Sequence, residues 1–541
     1  MRKWIAKVLN FIKIALCFWV VILFFSSCDT DQKHEEQKVF RYNEHANITS
    51  LDPAFAKDQR NIWPCHQLFN GLVQLNEQLQ VIPDLAESWE ISDDLLTYRF
   101  NLRKEVLFHQ DSLVFNHRDE RIMTAEDVIF SFYRLTDPKT ASSGAWVMQQ
   151  VDSVFAINKY SVEIQLKKAF PPFLGLLSNT YFSVVSKQAV EYYGSEFSRN
   201  PIGTGAFRFK RWEENVKLVL LKNPDYFESE NGQPLPHLDA ISIRFLPDKQ
   251  AEFLEFVQGK LDFLNGVDAT YKDEILTSSG ELQASYRERF YLQRTPQLNI
   301  EYIGFNTSDS LSPVAYVHFR KALNFAFDRK AMVRFLKNGI GEAAERGFVP
   351  TSLAGSTSDK GFFHATDSAE YYLQQFKLQS GIERPKISIS TNANYLDLVE
   401  YLQNQWQQIG VEVSINLMPP SSLRQMRSNG ELETFRASWI ADYPDAENFL
   451  SLFYAPNKSP NGPNYTFFEN KNYDALYKKA AATVSDSSRY QLYQQMDAMI
   501  IKHAPVVPLY YDEVIRFVPK NIKGLPLNPL NLLELKRVQK I

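Results

Sequence analysis

Cysteine is almost absent from this chain. Only Cys17, Cys28 and Cys65 occur in 541 residues. That excludes the paired-cysteine spacings of redox centres and zinc sites. Cys17 and Cys28 fall in an N-terminal segment treated below, so Cys65 alone is left and no intramolecular disulfide is available to the folded part. Its neighbours Trp63 and Phe69 imply a buried, unreactive thiol. The nine histidines are scattered, with no His-Glu-x-x-His, so neither a metal site nor a cofactor is expected. There is no Gly-x-Ser-x-Gly elbow. Gly203-Thr-Gly205 lacks the third glycine and the following lysine of a phosphate loop, and a strand comes next. It reads as a bend where side chains would collide, not as a nucleotide site. A basic surplus is missing too. Lys and Arg number 59 against 63 Asp and Glu, which argues against nucleic acid as a partner.

No apolar run is long enough to span a bilayer. Ile14–Phe25 falls short of the ~20 residues that requires, and Lys13 precedes it. The basic start (Arg2, Lys3, Lys7), the short apolar core and small residues before a break describe an export signal over 1–27. It ends at Phe25-Ser-Ser-Cys28, which resembles a bacterial lipobox whose cysteine is lipidated and becomes the mature N-terminus. The expectation is a lipid-anchored protein on the extracytoplasmic side of a bacterial membrane. A polar tether follows, 28–38, with no apolar residue from Asp29 to Lys38. Removing 1–27 takes four cations and no acid, moving the formal charge from −4 to −8. The roughly 510 residues that remain exceed what one core usually supports, so at least two domains are expected.

Local patterns then appear in order. Tyr98–Leu102 and Ser161–Leu166 alternate as half-buried strands. Thr124-Ala-Glu-Asp127 has the form of a capping box opening a helix through Val128, Ile129, Phe132 and Tyr133. Val216–Leu221 is the expected antiparallel partner of the strand after Gly205, and Tyr302–Asn306 is another strand. The clearest unit is 386–417. A strand Lys386–Ser390 leads to a helix with Tyr395, Val399, Leu402, Trp406 and Ile409 at helical spacing, closed by Gly410, and then a strand Val411–Leu417. This is a βαβ crossover, and it predicts a parallel pair. The strand that ends near Trp439 should join the same sheet. Ligands of open α/β sheets sit beyond the carboxyl ends of strands, and the acidic turn Asp442-Tyr-Pro-Asp445 lies there.

Plentiful carboxylates leave a glycosidase-type acid pair open as an alternative, but a non-enzymatic exported binding protein is the better reading. Several stretches together resemble one family, the extracytoplasmic solute-binding proteins of peptide ABC transporters (family 5, the dipeptide/oligopeptide-binding group). They are Leu51-Asp-Pro53 with Leu68–Leu72, Tyr98–Arg103 with Phe108-His109, Thr124–Val128, Pro201–Phe207 with Asn223–Tyr226, Gly304-Phe-Asn306 with Arg320–Asp328, and Trp439–Asp445. They occur in family order across nearly the whole mature chain.

The resemblance implies an α/β fold of two lobes, of the class II periplasmic-binding-protein type, with an extra subdomain on the first lobe. Lobe I would cover 39–300 with the insert near 73–199, lobe II 301–504, and 505–541 would return to lobe I. Cargo would be a peptide enclosed as the lobes close and handed to ABC permease subunits, with no enzymatic step. The protein would act as a monomer held to the membrane through lipid on Cys28. A non-peptide solute, such as a metal chelate or an oligosaccharide, is the alternative cargo. Asp442 stands where relatives pair an aspartate with the peptide α-ammonium, and Trp439 would wall that pocket. Arg436 stands where some relatives carry an arginine that reaches the cargo carboxylate. Three residues apart on one strand, Arg436 and Trp439 should face opposite ways. Lys57 and Asp58 lie where relatives contact the cargo backbone, though relatives can carry an acid in place of Lys57. Met418-Pro-Pro420 departs from relatives with a tryptophan nearby.

Overall fold

Alternating side chains build the first sheets. Thr97–Leu102 buries Tyr98, Phe100 and Leu102 and turns Arg99 outward. It pairs with Ala86–Ile91 on one side and Ser161–Leu166 on the other, and Val151–Asn158 completes an antiparallel sheet of four. The helix Ala125–Thr136 opens on the expected capping box, with the Thr124 N–H donating to the Asp127 carboxylate at 3.0 Å. A second sheet runs in the order Val39–Glu44, Ala240–Phe245, Lys217–Lys222, Phe207–Glu213. Its first pair is parallel and the rest antiparallel. These residues belong to a computed structural model that describes 38–268 and 270–541. The expected signal segment, Cys28 and the tether up to Gln37 lie outside the described residues.

The bend at Gly203-Thr-Gly205 is steric in origin. A Cβ on Gly203 would sit 2.1 Å from the Leu68 carbonyl oxygen, and one on Gly205 would sit 2.4 Å from that of Gln67. Only glycine lets the backbones pass so closely. Cys65 is fully buried beside them, and burial pushes its thiol well above the usual range. Both sheets share one apolar core with Leu525, Leu533, Leu535 and Val538 near the C-terminus.

Two long antiparallel strands, Phe290–Phe305 and Val506–Pro519, run out of this region. At one end Phe290 and Phe517 pack with Phe253 and Phe256. At the other, Tyr302 and Val506 enter a second large core, and Ile303 and Val507 a third. The pairing shifts register between Pro296 and Ile300, where proline has no N–H to give the ladder. The two strands thus join the lobes of a two-lobed α/β fold. The sequence expectation at Tyr302–Asn306 covers only the final stretch of the first strand, because Pro296 and its polar neighbours interrupt the alternation.

The expected βαβ unit is present. Lys386–Thr391 runs parallel to both Glu412–Leu417 and Thr434–Ile440, and the last pairs antiparallel with Phe290–Phe305. The crossover helix Leu396–Gln408 buries Leu398, Val399, Leu402 and Trp406, and the Trp406 indole donates to the Leu323 carbonyl at 2.9 Å. Tyr395 is not on this face. It closes a short turn, Ala393–Tyr395, before the helix and turns toward the sheet.

Trp406 is completely buried. Trp406→Ala should therefore cost about 3–5 kcal/mol of stability, read as a lower urea midpoint at unchanged slope. A midpoint equal to that of the wild type would remove Trp406 from the core.

Candidate functional site

The strand Thr434–Ile440 sorts its residues by parity. Phe435, Ala437 and Trp439 face the second core. Arg436, Ser438 and Ile440 fall on the other side, as two-residue alternation requires. On that side two hollows adjoin, of about 470 and 440 Å³. Gln59, Gln297, Ile440 and Asn531 line both, so the hollows form two halves of one cleft.

The first half holds Lys57, Asp58 and Asp442. Asp442 comes just past the end of the strand, and a short net holds it. The buried Asn448 side-chain oxygen accepts from the Asp442 N–H at 3.3 Å and from the Trp439 indole at 2.8 Å. Asn179, far away in sequence, donates to the Asp442 carbonyl at 3.3 Å. The Asp442 side chain is exposed to the hollow, and the walls around it displace part of its hydration. That desolvation raises its carboxyl to about 6, and a hydrogen bond from Asn448 pulls the other way. Among the described residues no cation stands within ion-pair distance of Asp442. Asp58 differs. It pairs with Arg60 at 3.1 Å, and its second oxygen is buried without a hydrogen-bond partner. Lys57 is exposed at the rim.

The other two expected residues are not in the lining of either half. Trp439 turns to the core and acts on the site only through Asn448, so the expectation that it walls the pocket is corrected by strand parity. Arg436 does face the cleft side, opposite to Trp439. Its guanidinium is paired with Glu301 and covered by the Tyr395 ring, and both side chains of the pair are under one-tenth exposed. The residues that present themselves in the second half are Asn265, Asn299, Glu301, Lys337, Tyr395 and Asp512. No sequence motif marks Glu301 or Tyr395. They meet Arg436 only through strand pairing and the turn before the crossover helix.

Tyr443 and Pro444 were also missed. The Tyr443 ring is buried in the first core, edge-on to Phe170 with centroids 6.0 Å apart. Pro444 packs so close to Gly175 that a Cβ there would lie 3.4 Å from its ring. The turn carrying Asp442 is thus wedged against Phe170 and Gly175 at the first core. Its foot is Glu447, whose carboxylate accepts from the Tyr443 and Tyr477 hydroxyls. Asp445 accepts the Glu447 N–H at 2.8 Å just before the next short helix, and the Glu447 side chain braces the wedge. The motif Leu51-Asp-Pro53 is structural in this chain. Asp52 starts a turn by accepting the Ala54 N–H at 3.0 Å and pairs with Arg134.

A sequence profile described as bacterial extracellular solute-binding proteins, family 5 Middle, matches residues 80–461. The chain is 28% identical over 524 residues to the periplasmic murein peptide-binding protein MppA of Escherichia coli K12, covering 91% of each chain. It is 26% identical over 530 residues to heme-binding protein A of Haemophilus influenzae, covering 93% of this chain and 92% of the other. Among solved structures, the Helicobacter pylori periplasmic binding protein DppA in complex with the peptide STSA superposes with a TM-score of 0.78 at 24% identity. The match covers 94% of this chain and 99% of that one.

Tyr443→Ala should cost about 3 kcal/mol by emptying the wedge, whereas Tyr443→Phe loses only the hydroxyl, about 1 kcal/mol. Urea denaturation measures both. Equal and negligible costs would show the wedge to be idle.

Proposed function

The chain belongs to the bacterial extracellular solute-binding proteins of family 5, and from that premise we propose that it captures peptides between its lobes outside the cytoplasmic membrane and delivers them to an ABC transporter. Lobe I is taken as 39–300 with its insert at 73–199 and the return 505–541, and lobe II as 301–504. The protein works as a monomeric binder without catalysis, in the periplasm, held by lipid on Cys28.

One observation carries the cargo assignment. Asp442 is a carboxylate at a strand's end that opens into a hollow, with no cation among the described residues paired to it. An ionised carboxylate in such a place is stabilised by a partner of opposite charge, and the α-ammonium of a peptide supplies one. In this reading Asp58 and Lys57, which line the same hollow, meet the first peptide units, and the unpartnered Asp58 oxygen takes a donor from the cargo. Cargo that touches both walls favours the closed form. A non-peptide solute is the second reading, favoured by the similarity to a heme-binding protein.

The pH dependence has a definite sign. Below about 6 the free Asp442 is protonated, and an ammonium loses its partner. Peptide affinity should therefore fall about tenfold between pH 7.5 and pH 5. Asp442→Asn should weaken binding by about 3 kcal/mol, on the order of a hundredfold, and flatten that profile. Mass spectrometry of copurified cargo and calorimetry with a varied peptide pool check the assignment. An Asp442→Asn variant that binds its cargo as well as wild type points to the non-peptide reading.

A further inference from the structure

The second half of the cleft is lined by acceptors. Asn299 is 4% exposed and its side-chain oxygen has no hydrogen-bond partner, and the buried oxygen of Asn265 has none either. Of the two cations in this lining, Lys337 is paired with an acid and Lys272 hydrogen-bonds only neutral oxygens. Lys337 stands 3.2 Å from the Asp512 carboxylate and over the Tyr510 ring. Lys272 reaches the Asn338 side-chain oxygen at 3.3 Å and the Leu336 carbonyl at 3.4 Å.

The remaining cation, Arg436, is withheld. Glu301 lies opposite Ser438 in the strand pairing, which makes it the diagonal neighbour of Arg436 on the same face. The two side chains are 4% and 8% exposed, Tyr395 covers the guanidinium, and Glu301, not Arg436, lines the hollow. A cargo carboxylate could take Arg436 only by displacing Glu301. That would leave Glu301 unpaired where burial already raises its carboxyl, and breaking such a buried pair is strongly unfavourable.

We propose that this half of the cleft reads hydrogen-bond donors along the cargo, and that Glu301, by keeping Arg436 as an internal counter-ion, denies recognition to a C-terminal carboxylate. The cargo class is then peptides bound by the amino end and main chain, with the carboxyl end unread. Free-acid, amidated and longer chains are accepted alike. This rests on the peptide reading of the Asp442 half.

The test is calorimetry at pH 7.5 with alanine peptides of three to five residues, each as free acid and as C-terminal amide. Wild type should bind acid and amide within about twofold at each length. Glu301→Gln, which frees Arg436, should prefer the acid by about tenfold at the length whose end meets the guanidinium, and Glu301→Gln/Arg436→Met should lose that preference. A wild-type preference for the acid of about tenfold or more, abolished by Arg436→Met, overturns the proposal, as does a folded Glu301→Gln variant with no acid preference. Wild type that binds neither acid nor amide at any length overturns the peptide reading instead.

Discussion

A carboxylate facing a cleft is stabilised by a counter-ion, and this cleft meets that constraint in two opposite ways. Glu301 has its partner built in, since Arg436 lies diagonally across the strand pair under the cover of Tyr395. Asp442 has none among the described residues and only an amide to hold it. One group is closed and the other open, although both lie on or beside the single strand Thr434–Ile440. The difference gives the cleft a direction, with an unpaired carboxylate at one end and an acceptor-lined stretch whose Glu301 is internally paired at the other.

The same turn that exposes Asp442 also ties the lobes. Tyr443 and Pro444 follow it directly and press against Phe170 and Gly175 of the first core region. Anchor and wedge are adjacent on a rigid turn braced by Glu447. Seating a cation on Asp442 and seating the wedge therefore involve the same backbone. The long strands Phe290–Phe305 and Val506–Pro519 cross beneath, and their register shift at Pro296 loosens the ladder where the two lobes meet.

Local patterns were readable wherever a residue's neighbours lie close in the chain. The capping box at Thr124, the glycine bend at 203–205, the alternation of Thr97–Leu102 and the crossover unit around Trp406 are all short-range features. The opposite facing of Arg436 and Trp439 also followed from strand parity alone. Reading failed where partners are remote. Tyr395 fits the helical spacing, yet it covers Arg436. Phe290–Phe305 hides most of its length behind Pro296 and polar residues, and pairing with a strand more than two hundred residues away makes it regular.

By itself, then, the sequence determined the α/β crossover unit, the position of Asp442 at a strand's carboxyl end and the parity of its neighbours, while the two-lobed class was implied by the family resemblance. Periodicity and capping are properties of a dozen residues at most. Only the tertiary structure decided that Arg436 is neutralised, that Trp439 supports instead of lining, and that Tyr443 joins the lobes. Each depends on a side chain brought from elsewhere in the chain (Glu301, Asn448 or Phe170), and the charge balance and burial of a group are set by everything packed against it.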